Sequence, residues 1–331
     1  MELNPNVIYE DYVNNRLDKD AVINQLISII ENCDDNTIRE DSIKVLAKMK
    51  LSNKNLFELF ENLLISDSDE TIRNAAGIYL SENHLNDSLG LFKWVIQHET
   101  SYQCLLTTIK VLVKINSKES KTVLIEQLKK IRHSRYINPE KGYENKKYKE
   151  ALKPLIKRNK FITYSHKHLG DIIIDFFTIK TLIEAIPNVY FELNPSNLLV
   201  EKLDLSDYLE FEVKGTPWGW KNNIESLSKI NALRNLSYVQ ELNLSNNCIK
   251  DLKELVEIQS LRHLDLSNNK ISDPKNIEYL KQIPLLEFID LRGNEIVNII
   301  DLSDFGSKIK ILKESSLKNL EKRLEQRFEN I

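Results

Sequence analysis

The strongest constraint on the fold is an eleven-residue pattern that occurs three times in the last third of the chain. It reads L-x-x-L-x-L-x-x-N-x-I, and Val or Ile replaces Leu once each. The copies begin at Val239, Leu261 and Leu286, so they are 22 and 25 residues apart. Self-similarity at such a period predicts a stack of similar structural units, each contacting its neighbours.

Each copy has the features of a strand followed by a turn. The alternation of apolar residues predicts a short strand whose leucines point inward. The Asn near the end of the copy, such as Asn247, is placed to bond free backbone groups where the chain leaves the strand. After the first copy, Leu252, Leu255 and Ile258 recur every three residues and predict a short helix on the convex side.

These three copies match the leucine-rich repeat consensus and resemble its 22-residue class, found in the regulatory subunit of a serine/threonine phosphatase. The third copy has a longer spacing and resembles the C-terminal capping repeat of that class. The resemblance implies an α/β solenoid with short parallel strands. We expect an amphipathic tail to cover its open end, through Ile309, Leu312, Leu317, Leu320, Leu324 and Phe328.

The segment before these copies is less regular. Val200, Leu203 and Leu205 indicate the start of an earlier unit that lacks the Asn. Residues 169–174 and 186–194 match the repeat pattern only in part, and we interpret them as irregular first strands of the same sheet. Residues 206–235 form an insertion that contains Trp218 and Trp220. These two side chains either pack into the core or anchor a partner.

The N-terminal third carries a different repeat. Thr37-Ile38-Arg39 recurs 34 residues later as Thr71-Ile72-Arg73, and amphipathic segments lie between the copies. This pattern predicts that each unit is a pair of antiparallel helices. Stacking of such pairs gives an α-solenoid. We expect Asp67, Ser68 and Asp69 to cap the helix that follows. The pattern of Asp69, Ile72, Arg73, Ala75 and Ala76 resembles HEAT repeats over roughly residues 1–132.

Charge is distributed unevenly along the chain. Residues 1–128 carry 13 basic and 20 acidic side chains, residues 129–168 carry 13 and 3, and residues 169–331 carry 20 and 26. The net charges are therefore −7, +10 and −6. The basic block, interleaved with tyrosines, is either a solvated connecting segment or a site for anions such as nucleic acid. Its candidate anion-binding residues are Lys129, Lys130, Arg132, Arg135, Lys146, Lys147, Lys149, Lys153, Lys157 and Arg158.

The outward positions of the leucine-rich strands form a second candidate surface, the concave face of the sheet. Its middle column is mostly acidic, so the face either binds a basic partner segment or is only solvated. The candidate partner-binding residues are Lys202, Asp204, Glu241, Asn243, His263, Asp265, Phe288, Asp290 and Arg292.

Other classes of function find little support in the sequence. The common nucleotide-binding fingerprints do not occur, and His166 and His168 are too few ligands for zinc, so we expect no metal and no cofactor. The three cysteines are widely spaced, which favours a reducing, cytoplasmic location. The sequence indicates no signal peptide and no membrane-spanning segment.

Taken together, the repeats predict a HEAT-like α-solenoid over residues 1–132 and a partly helical basic segment over 133–168. A leucine-rich repeat domain with a helical C-terminal cap follows over 169–331. We expect a monomeric, non-enzymatic scaffold or adaptor that binds protein partners on the leucine-rich sheet and in the HEAT groove. The alternative is a nucleic-acid-binding protein, of the HEAT-like DNA-binding or glycosylase type, that uses residues 129–160.

Overall fold

A computed structural model describes residues 4–207, 223–298 and 309–313. The chain divides into two compact units. The first comprises Met1–Leu128 with Thr163–Ile173, and the second comprises Lys129–Ile162 with Ile174–Ile331. The sequence predicts one separate connecting segment over 133–168. In the structure residues 133–162, together with 129–132, group with the C-terminal repeats, whereas 163–168 group with the N-terminal helices.

The first unit consists of helices joined by short loops. Consecutive helices pack in pairs, α2 with α3, α4 with α5 and α6 with α7, and α5 also packs against α3 and α7. This arrangement agrees with the predicted helical pairs. The helices are α1 (Pro5–Val13), α2 (Lys19–Asn32), α3 (Asn36–Lys48), α4 (Lys54–Ser66), α5 (Glu70–Asn83), α6 (Leu89–His98), α7 (Tyr102–Ile115) and the first part of α8 (Lys118–His133).

The sequence repeat of this unit has a local physical cause. Asp69 is the N-cap of α5 and accepts hydrogen bonds from the N–H groups of Thr71 and Ile72, as the sequence predicts. Such a cap contributes about 1 kcal/mol. Each repeated arginine also reaches the acidic residue that ends a neighbouring helix: Arg39 bonds Asp67 (2.5 Å) and Arg73 bonds Glu99 (2.9 Å).

The second unit begins with a small hairpin and two helices. Strands β1 (Tyr136–Asn138) and β2 (Tyr143–Glu144) pair antiparallel. They precede α9 (Lys146–Lys157), a 3-10 helix (Lys160–Thr163) and the later part of α10 (His166–Ala185).

A six-stranded mixed sheet follows, in strand order β3-β4-β5-β6-β7-β8. Its first pair is antiparallel and the other neighbours are parallel. The strands are β3 (Tyr190–Leu193), β4 (Val200–Asp204), β5 (Glu241–Asn243), β6 (His263–Asp265), β7 (Phe288–Asp290) and β8 (Lys310–Leu312).

The connections on the other side of the strands are short helices. They are 3-10 helices Leu227–Asn235, Lys253–Glu257 and Glu295–Asn298, and helix α11 (Lys275–Lys281). The predicted short helix after the first copy is confirmed by Lys253–Glu257. The inward leucines predicted for the strands are also confirmed, because Leu203, Leu242, Leu264 and Ile289 lie opposite one another and are at most 2% exposed.

The asparagines of the repeat bond the backbone as predicted. The amide nitrogen of Asn269 donates to the carbonyl oxygens of Leu244 (2.9 Å) and Leu266 (3.0 Å). Its side-chain oxygen accepts from the N–H of Ile249 (3.0 Å). Asn247 and Asn294 make equivalent bonds one unit away on either side. These buried amides supply the hydrogen bonds that the turns leaving the strands lack.

Three expectations for the ends of the repeat array need correction or restriction. Residues 169–174 are not a strand but part of α10, a 20-residue helix whose residues 172–176 are all buried. Of residues 186–194 only Tyr190–Leu193 is a strand, and it runs antiparallel to β4. The predicted tail helix does not begin at Ile309, since Lys310–Leu312 is strand β8; residues 314–331, Trp218 and Trp220 lie outside the described residues.

Candidate functional site

The pairing register aligns the outward side chains of the sheet in columns. The surface that these columns form, which the sequence predicts as the concave face, is called the open face. Lys202, Glu241, His263 and Phe288 lie opposite one another on successive strands, and Lys310 continues this outer column. The middle column contains Asp204, Asn243, Asp265 and Asp290. The sequence spacing predicts both columns, and the strand pairing brings their members together.

Strand β3 adds two residues to the open face that the sequence reasoning missed. Glu192 lies opposite Lys202 and Tyr190 lies opposite Asp204. The Tyr190 hydroxyl donates to a carboxylate oxygen of Glu192 (2.9 Å), and Tyr190 is 54% exposed while Phe191 is buried. The alternation of Tyr190, Phe191 and Glu192 was the available signal, because successive strand residues point to opposite faces.

The outer column ends in a shallow depression of about 480 Å³, lined by His263, Glu287, Phe288 and Lys310. The rings of His263 and Phe288 meet edge to face, with 6.1 Å between their centroids. The depression therefore combines two aromatic rings with a lysine and a glutamate. Aromatic residues are enriched at binding surfaces.

The carboxylates of the middle column differ in whether they form an ion pair. Asp290 is buried and is held by Arg292 on its own strand end, with oxygen–nitrogen distances of 2.8 and 2.5 Å. The side-chain hydrogen bond to Asp290 raises the pKa of Arg292. Asp204 accepts a hydrogen bond from Asn243 (3.0 Å), and burial raises the pKa of Asp265. Asp204 and Asp265 form no ion pair with any residue that the structure describes.

Beyond the middle column, the next outward position after each of β4, β5 and β6 is a serine. Ser206, Ser245 and Ser267 are each at most 8% exposed. The Ser267 hydroxyl donates to Asp265 (2.7 Å), so this serine orients the carboxylate of the middle column. The open face therefore offers its outer and middle columns, while the serine column supports them.

The candidate anion-binding residues fall into two groups. Lys147 donates to the carbonyl oxygen of Phe191, lies 3.7 Å from the centroid of the Tyr190 ring, and has a pKa that burial lowers. The structure thus uses Lys147 to hold the edge of the sheet. By contrast Lys149, Lys153 and Lys157 are exposed on α9.

The rest of the basic segment is tied to the start of α9. The buried amide of Asn145 donates to the carbonyl oxygens of Ile131 (2.6 Å) and Ser134 (3.3 Å). Its N–H donates to the carbonyl oxygen of Arg135, whose guanidinium lies 5.1 Å from the centroid of the Tyr136 ring. These bonds bring the candidate residues at 129–135, which include Lys129, Lys130 and Arg132, toward the first turn of α9.

Two tyrosines of the basic segment, Tyr148 and Tyr143, are not arranged to stack on bases. Tyr148 is fully buried and packs against Phe176 and Phe191. Tyr143 is half-buried and its hydroxyl donates to the carbonyl oxygen of Val189. Both rings belong to the protein core or to the sheet edge, so they do not form the stacking platform that the sequence suggests.

The described residues contain neither a metal-binding cluster nor a membrane-spanning helix. Within residues 4–207, 223–298 and 309–313, no three His, Cys, Asp or Glu side chains are grouped in a way that could hold a metal ion. None of the helices in those ranges has the length and apolar character that a membrane span requires.

Comparison with known proteins identifies the regular part of the sheet. A family model described as leucine-rich repeats, in two copies, matches residues 239–279. This range contains β5, β6 and the first part of α11. A search of curated proteins found no match to the chain. The C-terminal part thus carries a leucine-rich repeat, and the resemblance of the N-terminal helical pairs to HEAT repeats stays a prediction.

Proposed function

We propose that this chain is a non-enzymatic scaffold whose open face binds an extended, basic segment of a partner protein. Leucine-rich repeat domains are in general protein–protein interaction modules. The observation that carries the proposal is the continuous register of β3 to β8, which presents the outer and middle columns side by side.

The charges of the open face favour a basic partner. Five carboxylates and three basic groups lie on it: Glu192, Glu241, Asp204, Asp265 and Asp290 against Lys202, Lys310 and Arg292. Lys202 pairs with Glu241 (2.9 Å) and Arg292 with Asp290. The charges left over are mostly negative, and a partner of opposite charge gains both specificity and association rate from this arrangement.

The face is also organised by hydrogen bonds within the protein. The strands are held by their backbone pairing and by the asparagine amides, and the carboxylates are oriented by Asn243 and Ser267. A preorganised surface loses little conformational entropy on binding, so more of the contact energy appears as affinity. The depression at His263 and Phe288 can take an apolar or aromatic side chain of the same segment.

The test is capture from nuclease-treated lysate with three forms of the full chain, at low and moderate salt. The open-face variant is Asp204→Asn with Asp265→Asn, and the matched control is Glu254→Gln with Glu257→Gln in the 3-10 helix Lys253–Glu257. Both variants remove two negative charges from the second unit. Proteins retained by the wild type and the control but lost with the open-face variant would support the proposal. Equal retention by all three forms, or retention by none, would overturn it.

A further inference from the structure

Helix α9 carries a row of lysines that the proposed protein-binding face does not use. Lys146, Lys149, Lys153 and Lys157 follow one another at intervals of three or four residues, and all four are exposed. Residues at these intervals lie on one face of a helix, and this row of eleven residue steps is about 16 Å long. We call it the α9 lysine row.

The opposite face of α9 explains why the row points to solvent. Tyr148, Leu152 and Leu155 are buried in the second unit, at most 9% exposed. Burial of this apolar face fixes the rotation of the helix, so the lysines are held outward by the fold. The sequence alone indicates these two faces of α9, because these apolar residues and the lysines of the row each recur at intervals of three or four residues.

Little in the described structure neutralises the row. Lys146 pairs with Glu144 (2.8 Å), but Lys149, Lys153 and Lys157 form no ion pair with a residue in the described ranges. Residues 129–160 contain 12 basic and 3 acidic side chains. Such a local excess of one sign creates a potential that attracts a polyanion.

The chemistry of the row distinguishes among polyanions. Base stacking on a single strand needs exposed aromatic rings, and the one aromatic residue of α9, Tyr148, is buried. Stable attachment to a membrane needs an apolar insertion as a second signal, and the apolar face of α9 is already packed in the protein. Lysines bind phosphates as point charges without demanding a planar, bidentate partner. The phosphate backbone of a nucleic-acid duplex requires neither a stacking ring nor an apolar insertion, and it offers a regular array of phosphates to the lysines.

We propose that the α9 lysine row binds the phosphate backbone of double-stranded nucleic acid without reading its sequence. This proposal concerns a different surface from the open face and does not depend on partner binding there. Three free lysines that neutralise one phosphate each predict a slope of log K against log salt of about −2.7. Affinity should then fall about 40-fold between 50 and 200 mM NaCl.

The experiment measures fluorescence anisotropy of two labelled 20-base-pair DNA duplexes of unrelated sequence, titrated with the full chain over a NaCl series. The variant is Lys149→Gln with Lys153→Gln and Lys157→Gln. The matched control is Lys250→Gln with Lys253→Gln and Lys270→Gln, which removes the same charge from three exposed positions of the second unit. Circular dichroism of all three forms checks that the helices are retained.

The expected result is equal binding of both duplexes by the wild type, little change in the control, and a slope reduced by about 2.7 in the α9 variant. The proposal is overturned if the wild type does not bind duplex at 50 mM NaCl, or if both variants bind equally. It is also overturned if a single strand of the same sequence, or vesicles containing phosphatidylserine, bind more tightly than the duplex.

Discussion

The buried amide of Asn269 joins two neighbouring units of the leucine-rich part through hydrogen bonds that can be tested by substitution. Its nitrogen donates to the carbonyl oxygens of Leu244 (2.9 Å), Leu266 (3.0 Å) and Ser267 (3.4 Å). Its oxygen accepts from the N–H of Ile249 (3.0 Å). The side chain is 7% exposed, so water offers little replacement for these partners.

The cost of Asn269→Ala follows from which partners keep a second bond. The carbonyl of Leu244 also accepts from Asn247 and that of Leu266 also accepts from Asn294. The N–H of Ile249 becomes a buried donor without a partner, which costs about 1–3 kcal/mol. The weakened carbonyl bonds add about 1 kcal/mol, so the free energy of unfolding should fall by about 2–4 kcal/mol.

Asn269→Asp separates this hydrogen-bond account from a simple loss of volume. Aspartate has nearly the same shape, but at neutral pH it turns a charged oxygen toward three carbonyl oxygens. We expect it to be less stable than Asn269→Ala at pH 7. The unfavourable site raises the folded-state pKa of this carboxyl above its unfolded value of about 3.9. Protonation then favours the folded state, so the deficit should shrink as pH falls from 7 toward 4.5.

Urea unfolding followed by circular dichroism, at pH 7 and 4.5, measures these differences. Each variant is compared with the wild type at the same pH, which removes the pH response common to all forms. The control is Asn231→Asp at an exposed position of the 3-10 helix Leu227–Asn235, which introduces the same charge without the carbonyl cage. The reasoning is refuted if Asn269→Asp equals Asn269→Ala at pH 7, or if its deficit is the same at both pH values.

Three other substitutions are expected to change stability, measured by denaturant unfolding. Arg73→Ala should cost about 1.5–3 kcal/mol, because it removes the charged hydrogen bonds to Glu99, whose side chain is 7% exposed; a cost below about 1 kcal/mol would contradict this. Tyr148→Phe should be neutral or stabilising by about 1 kcal/mol, since the buried hydroxyl has no hydrogen-bond partner among the described residues; clear destabilisation would show that it has one. Gly293→Ala should destabilise, because φ is +73° and an added Cβ would lie 2.2 Å from the Oδ1 of Asn268; unchanged stability would refute that clash.

The pH response of Arg73 and Glu99 has a defined sign. Burial alone would raise the pKa of Glu99, but the bond from Arg73 and the N–H groups of Ser101 and Thr100 lower it overall. A lowered folded-state pKa gives stability that is present above the unfolded pKa and is lost as pH falls through the folded value. Arg73→Ala should therefore reduce the loss of stability on acidification as well as the stability itself.

The regular half of the fold could be predicted because each residue of the repeat has a local reason. The inward leucines, the turn asparagines and the outward columns all follow from the eleven-residue pattern, and the register of β4 to β7 agrees with it. The same holds for the cap at Asp69 and the recurrence of Arg39 and Arg73, whose partners directly follow the ends of α4 and α6.

The irregular half could not be predicted because its signals were ambiguous. Leu169, Ile172 and Ile174 fit the start of a repeat, but they also fit a buried helix, and short apolar runs do not distinguish the two. The length of α10 decides the matter, because buried residues continue to Ile183. The antiparallel direction of β3 depends on the turn at 194–199, for which the repeat offers no template.

Neighbouring lysines in the basic segment show why charge alone does not assign a role. Lys147 and Lys149 are two residues apart on α9 and therefore point in different directions. Lys147 is half-buried and bonds the carbonyl oxygen of Phe191, and Tyr143 covers that of Val189 in the same way. These bonds cover main-chain acceptors of the edge strand, which would otherwise be open to pairing with another chain. Lys149 makes no such contact with any residue that the structure describes, so a loss of anion binding on its substitution can be interpreted without a change in the sheet.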